Sequence, residues 1–132
     1  MTPAMRVAEA LFWLSLADCV LRLGGYHRLL WWLTRKRRPR HSSAHFTDMA
    51  IAAHRTVSLA AGWYAPAAEC LPQAAAKALM LRHRGVPSVI VLGVRTVPFG
   101  GHAWLEVDGQ VIGEEQDAIA TYTELTRIPV TR

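Results

Sequence analysis

"ECLPQAAAKALMLRHRGVPSVIVLGV", residues 69–94, changes its hydrophobic pattern halfway along, and that change decides the fold. The first half is rich in alanine and leucine, carries Pro72 where an opening turn suits it, and ends in Arg82, His83 and Arg84 before Gly85. Cations favour the negative end of a helix and glycine the position just past it, so this half reads as a helix. After Val86-Pro87 the run "SVIVLGV" is β-branched and apolar throughout, which predicts a strand buried on both faces.

Working outward, "TVPFGG" reads as a loop, and "HAWLEVD" and "QVIGE" as the arms of a hairpin turning at Asp108-Gly109. A short helix is expected from Asp117, before Pro129. Upstream, Pro3 opens a helix to about Leu23, Gly24-Gly25 ends it, and a second short helix covers Tyr26 to Leu33. Ser42 or Ser43 caps a third helix through "FTDMAIAAHRTVSLAAGW", and Pro66 interrupts what precedes it. Helices followed by a helix feeding a small antiparallel sheet make an α+β pattern. Residues 1–40 are expected to hold apolar helices and a basic linker, either part of the same domain or a docking element, and residues 41–132 the core.

Composition narrows the function. At 132 residues the chain suits one core, and a hydrophobic content of 52% argues against disorder. Cys19 and Cys70 are its two cysteines, and no C-x-x-C or similar ligand pair accompanies them. Neither a disulfide framework nor a metal is expected, and a reducing, cytoplasmic setting is the simpler reading. The net charge of +5 is concentrated in "TRKRRPR", residues 34–40. Such a run is a solvated linker, or it meets an anionic membrane surface or an acidic partner; no nucleic-acid-binding motif supports it. The apolar N-terminus is interrupted by Asp18, Arg22, His27 and Arg28, so neither a span nor a signal peptide is expected. Peripheral membrane contact through Trp31, Trp32 and the basic run stays open, as does docking of a partner on the surplus of large apolar side chains.

Cys70 stands where unpaired N–H groups and the positive end of the helix dipole favour a thiolate. Its bland alternative is a small buried side chain. Two hairpin registers are available downstream. A two-residue loop pairs Val107 with Gln110 and puts Glu114 on the apolar face; a three-residue loop pairs Glu106 with Gln110 and segregates the faces cleanly. The second register is favoured, and it sets Glu114 across from His102, where a carboxylate can fix the imidazole tautomer. Cys70, His102 and Glu114 then read as nucleophile, base and orienting acid, against the alternative of a surface ion pair and a lone histidine.

The stretch from residue 70 to 94, followed by "HAWLEVDGQVIGE", closely resembles the transglutaminase-like leader peptidases of lasso-peptide biosynthesis over about Ala65 to Asp117. The resemblance rests on cysteine followed by Leu-Pro at a helix start, an R-x-R-G-[IV]-P helix end, and H-A-W-x-E-V-D-G. It implies a papain-type core with a Cys-His-Asp triad: Cys70 the nucleophile, His102 the base, and Glu114 where the family usually has aspartate, with Asp117 the fallback. Trp104 would shield the site, and Phe99, Gly100 and Gly101 would form a lip over the substrate. Trp63 and Tyr64 are candidate second oxyanion donors beside the Cys70 N–H. The implied partners are a leader-core precursor peptide, a small leader-binding recognition protein and a downstream ATP-dependent macrolactam cyclase, with no cofactor on the peptidase itself. Two other classes fit the same residues: an acyltransferase, and a catalytically silent peptide- or membrane-binding module.

Overall fold

A computed structural model describes residues 2–34, 44–63 and 70–130. The expected caps Ser42 and Ser43, the basic residues 35–40, Tyr64, Pro66 and the side chain of Trp63 lie outside it. Three helices, α1 (Pro3–Leu33), α2 (Ala44–Trp63) and α3 (Cys70–His83), precede a sheet of β1 (Ser88–Thr96), β2 (Phe99–Val107), β3 (Gln110–Val111) and β4 (Thr123–Val130). A single turn, α4 (Gln116–Ile119), lies between β3 and β4. The sheet is antiparallel in the order β3-β2-β1-β4. The architecture is α+β: a helical layer packed on one face of a small sheet.

The element predicted most firmly is also the centre of the molecule. Ala74, Ala75, Ala76 and Ala78 of α3 are all buried, together with Leu79, Met80 and Leu81. A helix apolar all round needs neighbours on every side, and alanine lets them approach closely. One core cluster joins Ala74, Ala75 and Ala78 to Leu29 and Leu33 of α1, Ala50 and Ala53 of α2, and Ile90, Ala103, Leu105 and Ile128 of the sheet. A second joins Ala76 and Met80 to Ala10 and Leu14 of α1 and Val57 and Ala60 of α2. The N-terminal helix is thus built into the same core as the sheet. Its exposed side is apolar as well: Phe12, Leu23 and Trp31 face outward. Among the described residues no helix is long and apolar enough to cross a membrane.

The expected break at Gly24-Gly25 is present as a kink within α1, where Gly25 adopts φ 75°. At the other end of the core, α3 closes in a left-handed turn at Gly85, φ 80°. Val86 N–H bonds the Leu81 carbonyl at 2.8 Å and Gly85 N–H that of Arg82 at 3.0 Å, the paired bonds that seal a helix end. The basic residues before it reach beyond their own helix. The buried Arg82 donates to the Trp32 and Leu33 carbonyls at 3.0 and 3.4 Å, satisfying the open end of α1, while Arg84 pairs with Glu9.

The sheet departs from expectation in three places. Phe99, Gly100 and Gly101 belong to β2 instead of a loop: Thr96 pairs with Phe99, Arg95 with Gly100 and Val94 with Gly101, leaving Val97-Pro98 as the whole turn. Cross-strand pairing there overrides the poor strand propensity of glycine. The tail holds β4 where a short helix before Pro129 was the sole element expected; on an outer strand a proline is tolerated. The hairpin uses the two-residue turn, with Val107 opposite Gln110, Asp108 at φ 52° and Gly109 at φ 77°. Two successive residues at positive φ match the right-handed twist of the flanking strands, and that decides the register.

Replacing Arg82 by methionine keeps the length of the side chain but leaves the buried α1 carbonyls unpaired. We expect a loss of about 2–3 kcal/mol in urea denaturation, with Arg82→Lys recovering only part of it. Equal stability of Arg82→Met and wild type would show that the α1 end is held by packing alone.

Candidate active site

Side chains alternate across β2. Ala103, Leu105 and Val107 enter the core against α3, so His102, Trp104 and Glu106 stand on the opposite face. There the His102 ring stacks on Trp104, with centroids 5.9 Å apart and planes at 28°, and on Tyr122 at 5.3 Å. Trp104 is 4% exposed. A Cβ on Gly93 would come within 2.8 Å of its ring, so the close passage of the indole over β1 requires a glycine there. Its Nε1 donates to Glu106 at 3.3 Å, and Glu106 in turn pairs with Arg127.

Glu114 meets His102 by a route different from the one expected. In the observed register β3 ends after Val111, although the Ile112 N–H still bonds the Leu105 carbonyl at 2.9 Å. Ile112 is buried in the core, and Gly113 then turns the chain at φ 80°. That left-handed residue redirects Glu114 around the edge of β2, where its Oε1 lies 2.5 Å from His102 Nε2. Nε2 is therefore the nitrogen that faces the carboxylate, and Nδ1 is the one turned away from it. Glu114, rather than Asp117 on α4, is the carboxylate bonded to His102, and Asp108 forms the turn.

Cys70 is the first residue of α3 and is half-buried against the main core. Among the described residues no hydrogen bond joins it to His102: α3 lies on one face of β2 and the imidazole on the other. Two residues that the sequence reading overlooked stand near Glu114. Lys77 follows Cys70 by seven residues, about two turns, on the same face of α3. Burial holds its pKa below the ordinary lysine value, with Glu114 and then Cys70 acting in the opposite direction. His54 of α2 packs its ring where a Cβ of Gly113 would be, within 2.3–2.4 Å. Burial and then Lys77 lower its pKa below 6.5, while Glu114 acts in the opposite direction. Its Nδ1 is buried without a hydrogen-bond partner among the described residues. Glu114, bonded to His102, is thus also the carboxylate whose charge acts on Lys77 and His54. A lysine within "AAAKALML", two turns from a helix-start cysteine, was the available signal for this position.

The remaining candidates are placed as follows. Phe99 is 83% exposed at the far tip of the β1–β2 hairpin, and Gly100 and Gly101 lead from it towards His102. Among the described residues no group of three or more histidine, cysteine or carboxylate side chains stands close enough to hold a metal ion.

Two outcomes follow from this edge. Gly113→Ala forces a side chain into positive φ and into the His54 ring, and should cost about 1–3 kcal/mol while weakening the His102–Glu114 contact, seen as a shifted His102 ring signal by NMR. Because the folded pKa of His54 is depressed, the unfolded chain binds its proton first. Stability is then complete above the unfolded value of 6.5 and falls as pH drops through it towards the folded value. Urea midpoints at pH 7 and pH 5 should differ less in His54→Gln than in wild type; parallel profiles would remove His54 from this account.

Comparison with known proteins agrees with the fold. The profile of the transglutaminase-like superfamily matches residues 13–127, which takes in most of α1 as well as the sheet. Forty-six residues are 44% identical to the microcin J25-processing protein McjB of Escherichia coli, covering 35% of this chain and 22% of that protein. The match therefore spans about a fifth of the relative's length. No solved structure matches the chain. With a match that spans the helical layer and the sheet alike, the chain belongs to the transglutaminase-like superfamily.

Proposed function

We propose that the protein is a cysteine peptidase that removes the leader from a ribosomally made lasso-peptide precursor. The observation that carries this reading is the His102–Glu114 pair in a transglutaminase-like chain whose central helix opens with Cys70. The similarity to a microcin-processing protein supports the substrate class.

In this reading Cys70, at the start of α3, must come round the edge of β2 to His102 Nδ1 and give it the thiol proton, after which the thiolate attacks the scissile carbonyl. The tetrahedral intermediate collapses as the protonated imidazole gives its proton to the departing amine, leaving an acyl-enzyme on Cys70. His102 then takes a proton from water, hydroxide attacks the thioester, and the carboxylate product leaves with the thiol regenerated. Glu114 holds the imidazole through Nε2. The Cys70 backbone N–H, at a helix start, is one oxyanion donor. Trp104, packed against His102, shields it from water on one side, and Phe99, Gly100 and Gly101 lead the substrate along the start of β2. The exposed apolar side of α1 is available to a leader-binding partner protein or to a membrane surface, and an ATP-dependent cyclase would receive the freed core. Acyl transfer to an amine uses the same first half-reaction and differs in the second.

Mass spectrometry of the cognate precursor, incubated with the protein and its leader-binding partner, tests the proposal. A single cut between leader and core is expected, absent in Cys70→Ala and slowed about a hundredfold in Glu114→Gln. Undiminished cutting by Cys70→Ala would sink the assignment; a product joined to an added amine would move it to acyl transfer.

A further inference from the structure

We infer that Tyr122 is a positioning residue for His102: its ring, clamped by Arg95, holds the plane of the imidazole that Glu114 holds by one nitrogen. The inference rests on the reading of His102 as the base, and extends it to a residue that acts through that imidazole.

A single hydrogen bond fixes one atom of a ring and leaves the ring free to pivot about it. The Glu114 carboxylate meets His102 at Nε2, 2.5 Å away. The direction of Nδ1 therefore depends on what touches the ring itself. Two aromatic side chains do so: Tyr122 at 5.3 Å between centroids with planes at 33°, and Trp104 at 5.9 Å and 28°. Trp104 and Tyr122 are in turn 6.2 Å apart. Three nearly equal separations make a triangle, so the two rings meet the imidazole on adjoining sides instead of sandwiching it. Such packing restrains both tilt and rotation. The His102 side chain still keeps 23% of its surface accessible, which leaves room for a reacting group.

Each ring is anchored separately. Trp104 donates through Nε1 to Glu106, which Arg127 holds. Tyr122 stands in the turn after α4, its N–H bonded to the Ile119 carbonyl at 3.0 Å. The Arg95 guanidinium lies over the Tyr122 ring, 4.9 Å from the centroid, a cation–π contact. Arg95 Nε also donates to the Pro98 carbonyl at 3.2 Å, which ties the cation to the β1–β2 turn. Arg95 pairs with Gly100 and Gly93 with His102, so Arg95 and His102 share one face of the sheet. Tyr122 bridges the two. It is half-buried and belongs to neither core cluster, so its ring is not spent on filling the interior.

The test uses the full chain with its histidine ring nitrogens labelled, as wild type, Tyr122→Phe, Tyr122→Leu and Arg95→Gln, after thermal melts have identified the folded variants. Nitrogen shifts of the His102 ring at pH 8 report its tautomer, and precursor cleavage gives kcat and KM. Wild type is expected to show one tautomer, protonated at Nε2. Tyr122→Leu should mix the two tautomers and lower kcat about tenfold while KM stays within about twofold. Tyr122→Phe should restore both readouts, and Arg95→Gln should fall between. The proposal is overturned if folded Tyr122→Leu keeps the wild-type shifts and kcat, if KM rises while kcat holds, or if Tyr122→Phe is as impaired as Tyr122→Leu. If Tyr122→Leu does not fold, Arg95→Gln decides, and wild-type shifts and kcat in that variant overturn the proposal. Mixed tautomers in Tyr122→Leu beside undiminished cutting by Cys70→Ala would leave the positioning role standing and remove the peptidase reading instead.

Discussion

Burial of α3 on all sides is the constraint to which the other elements answer. Four alanines, with Leu79, Met80 and Leu81, present too little polar surface for any face of this helix to meet water. Two helices and a sheet are needed to cover it. The polar groups at its C-terminal end are then drawn into docking its neighbours: Arg82 closes α1, and Arg84 ties down Glu9. Gly85 turns the chain directly from that end into β1, so that the helix and the strand beside it share one core.

The same constraint decides where chemistry can occur. With the interior apolar, ionisable groups are left to its margins. Cys70 enters at the start of α3, Lys77 follows two turns later, His54 comes from α2, and Glu114 arrives on the turn after β3. None of these is near another in sequence except through a helix repeat. Gly113 is the hinge of the arrangement, because its positive φ and missing side chain let the chain pass the His54 ring and bring Glu114 to His102.

The hairpin shows how a correct contact can follow from an incorrect premise. The favoured three-residue loop would have separated apolar from polar side chains along a regular strand, and it set Glu114 opposite His102. The two-residue turn keeps Ile112 in the core instead and ends the strand early, after which Gly113 redirects the chain. Face segregation is preserved by stopping the strand, not by shifting it. In a similar way Gly100 and Gly101 read as a loop by composition and become strand by pairing with β1.

Local chemistry was sufficient for the helix from Cys70, its glycine-sealed end, the strand after it, the glycine break in α1 and the α+β class, because caps, period and turn residues act within a few positions. Cys70, His102 and Glu114 were legible as chemical types in suitable settings. The tertiary structure alone decided the hairpin register, the strand containing Pro129, the destination of Arg82, and the presence of Lys77 and His54 beside Glu114. Each of these depends on which backbone or charge lies across a gap in space, and sequence spacing carries no measure of that distance.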